Sequence, residues 1–139
     1  ATWIGAANPA VGEAFGKFLE AQTARALAQG VRPIMVHDAL HASKPAPQMI
    51  DQFSALGRRT GSQSRAARLL HIVVLDSVFI RTVLSAVTFF ADARGRTRVV
   101  KSRAKAIDLA LQAMDEEGLP RPDLHPDAYE PPNITAAAV

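Results

Sequence analysis

Side chains suited to chemistry gather at two places in the 139-residue chain. The first is His37, Asp38 and His41, at the carboxyl end of a segment that reads as a strand. Ligands of α/β sheets collect at such ends, so this trio is the natural candidate for a metal or small-ligand site. Alternation along a strand, however, sends His37 and Asp38 to opposite faces, and the spacing matches no strong zinc pattern. Anchoring of the following loop is the role expected of them. The second place is Asp76-Ser77, directly after the apolar run Ile72-Val-Val-Leu75. A phosphoacceptor aspartate needs further acidic groups at the sheet edge to hold magnesium, and Thr2-Trp-Ile-Gly5 offers none. A serine nucleophile needs a glycine-flanked elbow, and Ser77 lies between Asp76 and Val78. Both residues suit a helix N-terminus, where an oxygen accepts from orphan N–H groups. No glycine-rich phosphate loop occurs. The absence of cysteine excludes disulfides, thiolate-ligated zinc and thiol catalysis. Loop anchoring and helix capping are the roles expected of these residues, with no cofactor and no metal expected.

The elements that would carry these groups alternate. Thr2–Gly5 reads as a strand. Asn8-Pro9 opens a helix, since asparagine caps well and proline fits the first turn. Val11, Phe15, Phe18, Leu19, Gln22 and Ala26 recur at helical spacing, and Gly30 ends the run. A strand over 32–38 follows, with Pro33 at its start, where a missing donor is tolerated. Residues 39 to 47 read as a loop containing Pro45 and Pro47. A second helix then turns Met49, Ile50, Phe53 and Leu56 inward. The run at 71–75 is apolar on both faces, the habit of a parallel strand covered on both sides. A third helix over roughly 77–91 faces Phe79, Ile80, Val83, Leu84, Val87 and Phe90 inward. Val78 and Phe89 flank its polar stripe of Arg81, Ser85, Thr88 and Asp92. Thr97–Lys101 supplies a fourth strand. Ser102 caps a last helix with Ala106, Ile107, Ala110, Leu111 and Met114 as its inner stripe, ending at Gly118. The class is therefore α/β, with a mainly parallel sheet of about four strands and alternating helices. One domain spans 1–118, and a proline-rich, acidic, irregular tail spans 119–139.

The net charge of +3 conceals a division. From Asp115 onward six acids face one base, while the rest of the chain carries fifteen bases and seven acids. Arginines and lysines cluster at Arg58, Arg59, Arg65 and Arg68, and again between Arg94 and Lys105. No exposed aromatics interleave with them, and the acidic tail would compete for the same surface. Nucleic acid is accordingly not the expected partner. No apolar run reaches the length of a membrane span, and Ala1–Gly5 is not a signal peptide. A cytoplasmic protein is the expectation.

Residues 71–111 resemble the STAS-like domains related to bacterial anti-sigma-factor antagonists, the SpoIIAA-like group. The likeness rests on Val73-Val-Leu-Asp-Ser-Val-Phe-Ile-Arg-Thr-Val-Leu-Ser-Ala-Val-Thr-Phe-Phe90, on Thr97-Arg-Val-Val100, and on Ala104-Lys-Ala-Ile-Asp-Leu-Ala110. It implies a non-enzymatic signalling or scaffold domain that binds another protein. In established members, phosphorylation of a serine at the start of the second helix switches the partner. The resemblance carries that role to Ser43, although the Asp-Ser-Ser/Thr-Gly-Leu-type signature is absent here. The expected contact surface combines the Ala39–Pro47 loop, with Leu40, His41 and Lys44, the second helix, and the flank around Val78 and Phe89. Established members have two strands before the first helix, and Ala1–Gly5 has room for one. An open sheet edge would result, and edges invite pairing, so homodimerisation is a further expectation.

Overall fold

A computed structural model describes residues 2–5, 8–43, 48, 51–52, 55–56, 63, 67–76 and 96–124 of the protein. Its elements run β1 (Thr2–Gly5), α1 (Pro9–Gln29), β2 (Ile34–Ala42), β3 (Leu70–Val74), β4 (Thr97–Val100) and α2 (Arg103–Glu116). The four strands form one parallel sheet in the order β1-β2-β3-β4. The chain is α/β, as the alternation of its patterns requires. Each strand lies beside the next in sequence.

Local signals set the helix ends. The Asn8 side chain accepts from the Val11 N–H at 3.0 Å, with Pro9 opening the first turn. Gly30 closes α1 in the left-handed region at φ 62°, and the following Val31 N–H donates to the Ala26 carbonyl. Only glycine takes this conformation without a Cβ clash. Ser102 caps α2 by accepting from the Lys105 N–H at 3.2 Å. Gly118 stops it, and the Leu119 N–H donates back to Met114. From there to Leu124 the chain is irregular and exposed, its start tied to α2 by the Arg121–Asp115 ion pair.

β3 is the centre of the molecule. Ile72, Val74 and Leu75 are wholly buried and Val73 nearly so. Its even-numbered residues meet α2, where Ile72, Val74 and Ala106 form a core joined by Ile34, Val36, Leu40, Leu109 and Ala110. Of its odd-numbered residues, His71 meets His37 of β2, which in turn meets Phe15 of α1. Residues Gln48, Asp51, Gln52, Ala55 and Leu56 are helical, and Leu56 approaches Gly16 of α1. Met49, Ile50 and Phe53, and the expected helix over 77–91, lie outside the described residues.

Two expectations need correction. The buried face of α1 is Gly12, Gly16, Leu19, Thr23 and Ala26, while Val11 and Phe18 are 41% and 46% exposed. Small residues let α1 sit close to its neighbours, and the larger apolar groups fall to the rim of that contact. The second strand starts two residues late, at Ile34, and continues to Ala42, into the expected loop. Pairing with β1 draws it out, with Ile4 opposite His41 and Gly5 opposite Ala42. Tertiary pairing thus overrides the weak strand preference of Ala39–Ala42.

Candidate functional site

On the α1 face, β2 and β3 each carry a histidine within an otherwise apolar run. The parallel register sets Met35 beside His71 and His37 beside Val73. The two rings therefore meet diagonally, 4.7 Å between centroids and 75° apart in plane. Phe15 of α1 packs edge-on to His37 at 5.4 Å, and Trp3 of β1 stacks over it at 6.5 Å. Trp3 and Phe15 touch each other at 4.7 Å. The Trp3 indole N–H donates weakly to His37 Nδ1 at 3.4 Å. A neutral His37 ring then holds its own proton on Nε2.

Burial dominates the electrostatics of the pair. His37 is 8% exposed, and its pKa falls well below the ordinary histidine value because its charge would be desolvated, with the neighbouring His71 and Arg68 adding repulsion. His71 is displaced to about 4, again chiefly by burial and next by Arg68. His71 as a residue retains some exposure, yet both its ring nitrogens are buried and neither has a hydrogen-bond partner among the described residues. Those nitrogens govern proton affinity, so the neutral form is the one this site holds at neutral pH.

Asp38 points the other way. Its Oδ2 accepts from Arg103 Nε at 2.6 Å, and its Oδ1 accepts from the Leu40 N–H at 3.2 Å. With both oxygens engaged and only 4% exposure, the carboxylate ties the start of α2 to the middle of β2. The bond to Leu40 falls where the β1–β2 register shifts between Thr2 and Ile4. A short side-chain bond of this type satisfies backbone that an irregular ladder leaves open.

The trio of His37, Asp38 and His41 is consequently dispersed: His37 is buried under α1, Asp38 on the α2 face, and His41 is exposed beyond the register shift. No group of three or more potential metal ligands occurs among the described residues. Leu40, expected on a contact surface, packs half-buried against the core of Ile72, Val74 and Ala106. Ser43 is exposed, and its N–H donates to the Gly5 carbonyl at 2.8 Å. Lys44, Ser77, Val78 and Phe89 lie outside the described residues. The pairing of His37 with His71 was not foreseen from the sequence. Its trace there is a histidine inside each of two apolar strand runs, but only the register shows that they meet.

A cavity of about 210 Å³ adjoins this cluster at the amino end of β2, between the second half of α1 and Ala67-Arg68. No helix among the described residues is long and apolar enough to cross a membrane. No protein-family model, curated protein or solved structure matches the chain.

Proposed function

We propose that the chain is a STAS-like interaction module that works by binding another protein at the carboxyl end of β2. The resemblance in residues 71–111 motivates this reading, and a parallel α/β sheet is compatible with it. One observation carries the location. β2 extends to Ala42, so that exposed His41 and exposed Ser43 stand at its carboxyl end, with the Ser43 backbone held by Gly5. A hydroxyl on anchored backbone suits a reversible mark, because a phosphate adds charge there without unfolding anything. The outer strands β1 and β4 add a second mode, the pairing of an edge with another copy.

Quantitative affinity capture with the full chain, in parallel with Ser43→Asp and His41→Glu, tests the reading. Light scattering supplies the oligomeric state. The expected result is a protein captured by the native chain and released by at least one substitution, while both variants keep the native circular dichroism spectrum. A strictly monomeric chain whose captured proteins are the same for all three would overturn it.

A further inference from the structure

The sheet face that carries His37 brings together three side chains able to bind a soft metal ion, and the interaction reading gives them no role. We infer that His37, His71 and Met35 hold a single cuprous ion, Cu(I). The two imidazoles already touch, with 4.7 Å between centroids. With metal–nitrogen bonds of about 2.0–2.1 Å, two imidazoles on one ion stand roughly 5–6 Å apart, so the pair parts only slightly to admit it. Both His71 nitrogens are buried, and neither has a hydrogen-bond partner among the described residues. Such groups cost stability, and a metal bond relieves one of them. Histidines, cysteines and carboxylates form no group of three among the described residues. The third donor is a thioether. Met35 is the register partner of His71 and, two residues before His37, shares its face of β2. Its flexible side chain lines the same cavity as His37, which leaves room for both to adjust.

The donors select the metal. Thioether sulfur and imidazole nitrogen together favour Cu(I) over harder ions. Zn(II) draws its ligands from thiolate, imidazole and carboxylate, and Asp38 lies on the opposite face, bound to Arg103. Uncharged donors in a buried place hold a monocation at lower desolvation cost than a dication. Arg68, whose charge opposes protonation of both rings, would oppose a dication about twice as strongly. Burial keeps both rings neutral at neutral pH, so a nitrogen of each is free of a proton before the ion arrives. Whichever His37 nitrogen takes the ion, the weak bond from Trp3 is given up. An ion on Nδ1 displaces it, and an ion on Nε2 sends the ring proton to Nδ1.

Copper under anaerobic ascorbate is the probe, titrated against the chromophoric chelator bicinchoninate, with Zn(II) as the dication control. Trp3 is the only tryptophan and stacks on His37, so its fluorescence reports on the site. The expected result is one equivalent of Cu(I) held against the chelator, with Trp3 emission falling along the same curve. Zn(II) should bind at least about tenfold more weakly. X-ray absorption at the copper edge should show two nitrogens and one sulfur. His71→Leu should abolish the binding, and Met35→Leu should weaken it at least about tenfold. The absorption spectrum and the Trp3 titration use the native chain, so they decide the matter even if a variant fails to fold. No copper retained, Zn(II) bound as tightly, copper held while Trp3 emission stays constant, a copper shell without sulfur, or a folded His71→Leu or Met35→Leu variant binding undiminished would each overturn the assignment. None of these outcomes depends on His41 or Ser43, so this site stands or falls separately from the interaction surface.

Discussion

Acid should unfold this protein through His71, and replacing that residue by leucine should remove a defined part of the sensitivity. The folded chain holds His71 neutral, its pKa moved from 6.5 to about 4, whereas the unfolded chain protonates it near the ordinary value. The unfolded state therefore binds the extra proton as pH falls. The stabilisation is complete above pH 6.5 and is lost progressively down to about 4. At about 1.36 kcal/mol per pKa unit, the full loss is about 3 kcal/mol, of which about 2 kcal/mol has gone by about pH 5. That is a large share of the roughly 5–15 kcal/mol that keeps a domain folded. His37 titrates in the same direction and adds to the slope. Urea unfolding of the native chain and His71→Leu, from about pH 7.5 to about pH 5, measures the difference. Exposed carboxylate pairs such as Asp115–Arg121 contribute equally to both curves and cancel. At neutral pH the variant should be no less stable by more than about 1 kcal/mol, because it also removes two buried nitrogens without partners. Two stability curves that stay parallel across this range would refute the claim that burial holds His71 neutral.

Asp38→Ala should destabilise the fold by about 3 kcal/mol, since it strands the partly buried Arg103 guanidinium and the Leu40 N–H together; a thermal melt unchanged from the native one would contradict this. Gly16→Ala and Gly30→Ala should move stability in opposite directions. At Gly16 an added Cβ meets the Leu56 methyls at 3.5 Å, an ordinary contact, so the gain in helix preference of about 0.5–1 kcal/mol remains. At Gly30 the left-handed backbone makes alanine cost about 1–2 kcal/mol, and chemical denaturation of the two variants side by side checks the sign of each.

The legible parts of this fold are those written locally. Asn8, Gly30 and Ser102 announce helix ends because a cap is a bond within one turn, and the structure places each where its chemistry predicts. The run 71–75 announces a strand covered on both faces, and the chain is buried from Ile72 through Leu75. The face of α1 was misjudged because hydrophobicity alone ranks Val11 and Phe18 above Gly12 and Gly16. Close approach of a neighbouring helix, which pattern does not record, selects the small residues instead. The end of β2 was misjudged because Ala39–Ala42 becomes strand only when β1 lies alongside.

For the candidate site, the sequence supplies neither a cysteine nor a glycine-rich phosphate loop. Alternation along the strand likewise foretold that His37 and Asp38 part company, and they do. What each of them meets was decided only in three dimensions. Asp38 finds Arg103 across 65 positions, and His37 finds Trp3 and His71 at separations of 34. A residue's period and cap depend on neighbours within a turn or two, so the sequence by itself determined the α/β alternation and the ends of α1 and α2. Contacts at such separations depend on strand order and register, set by which pairing buries the most apolar surface over the whole chain. Tertiary structure alone therefore made a neutral histidine pair, a buried ion pair and the cavity between α1 and β2.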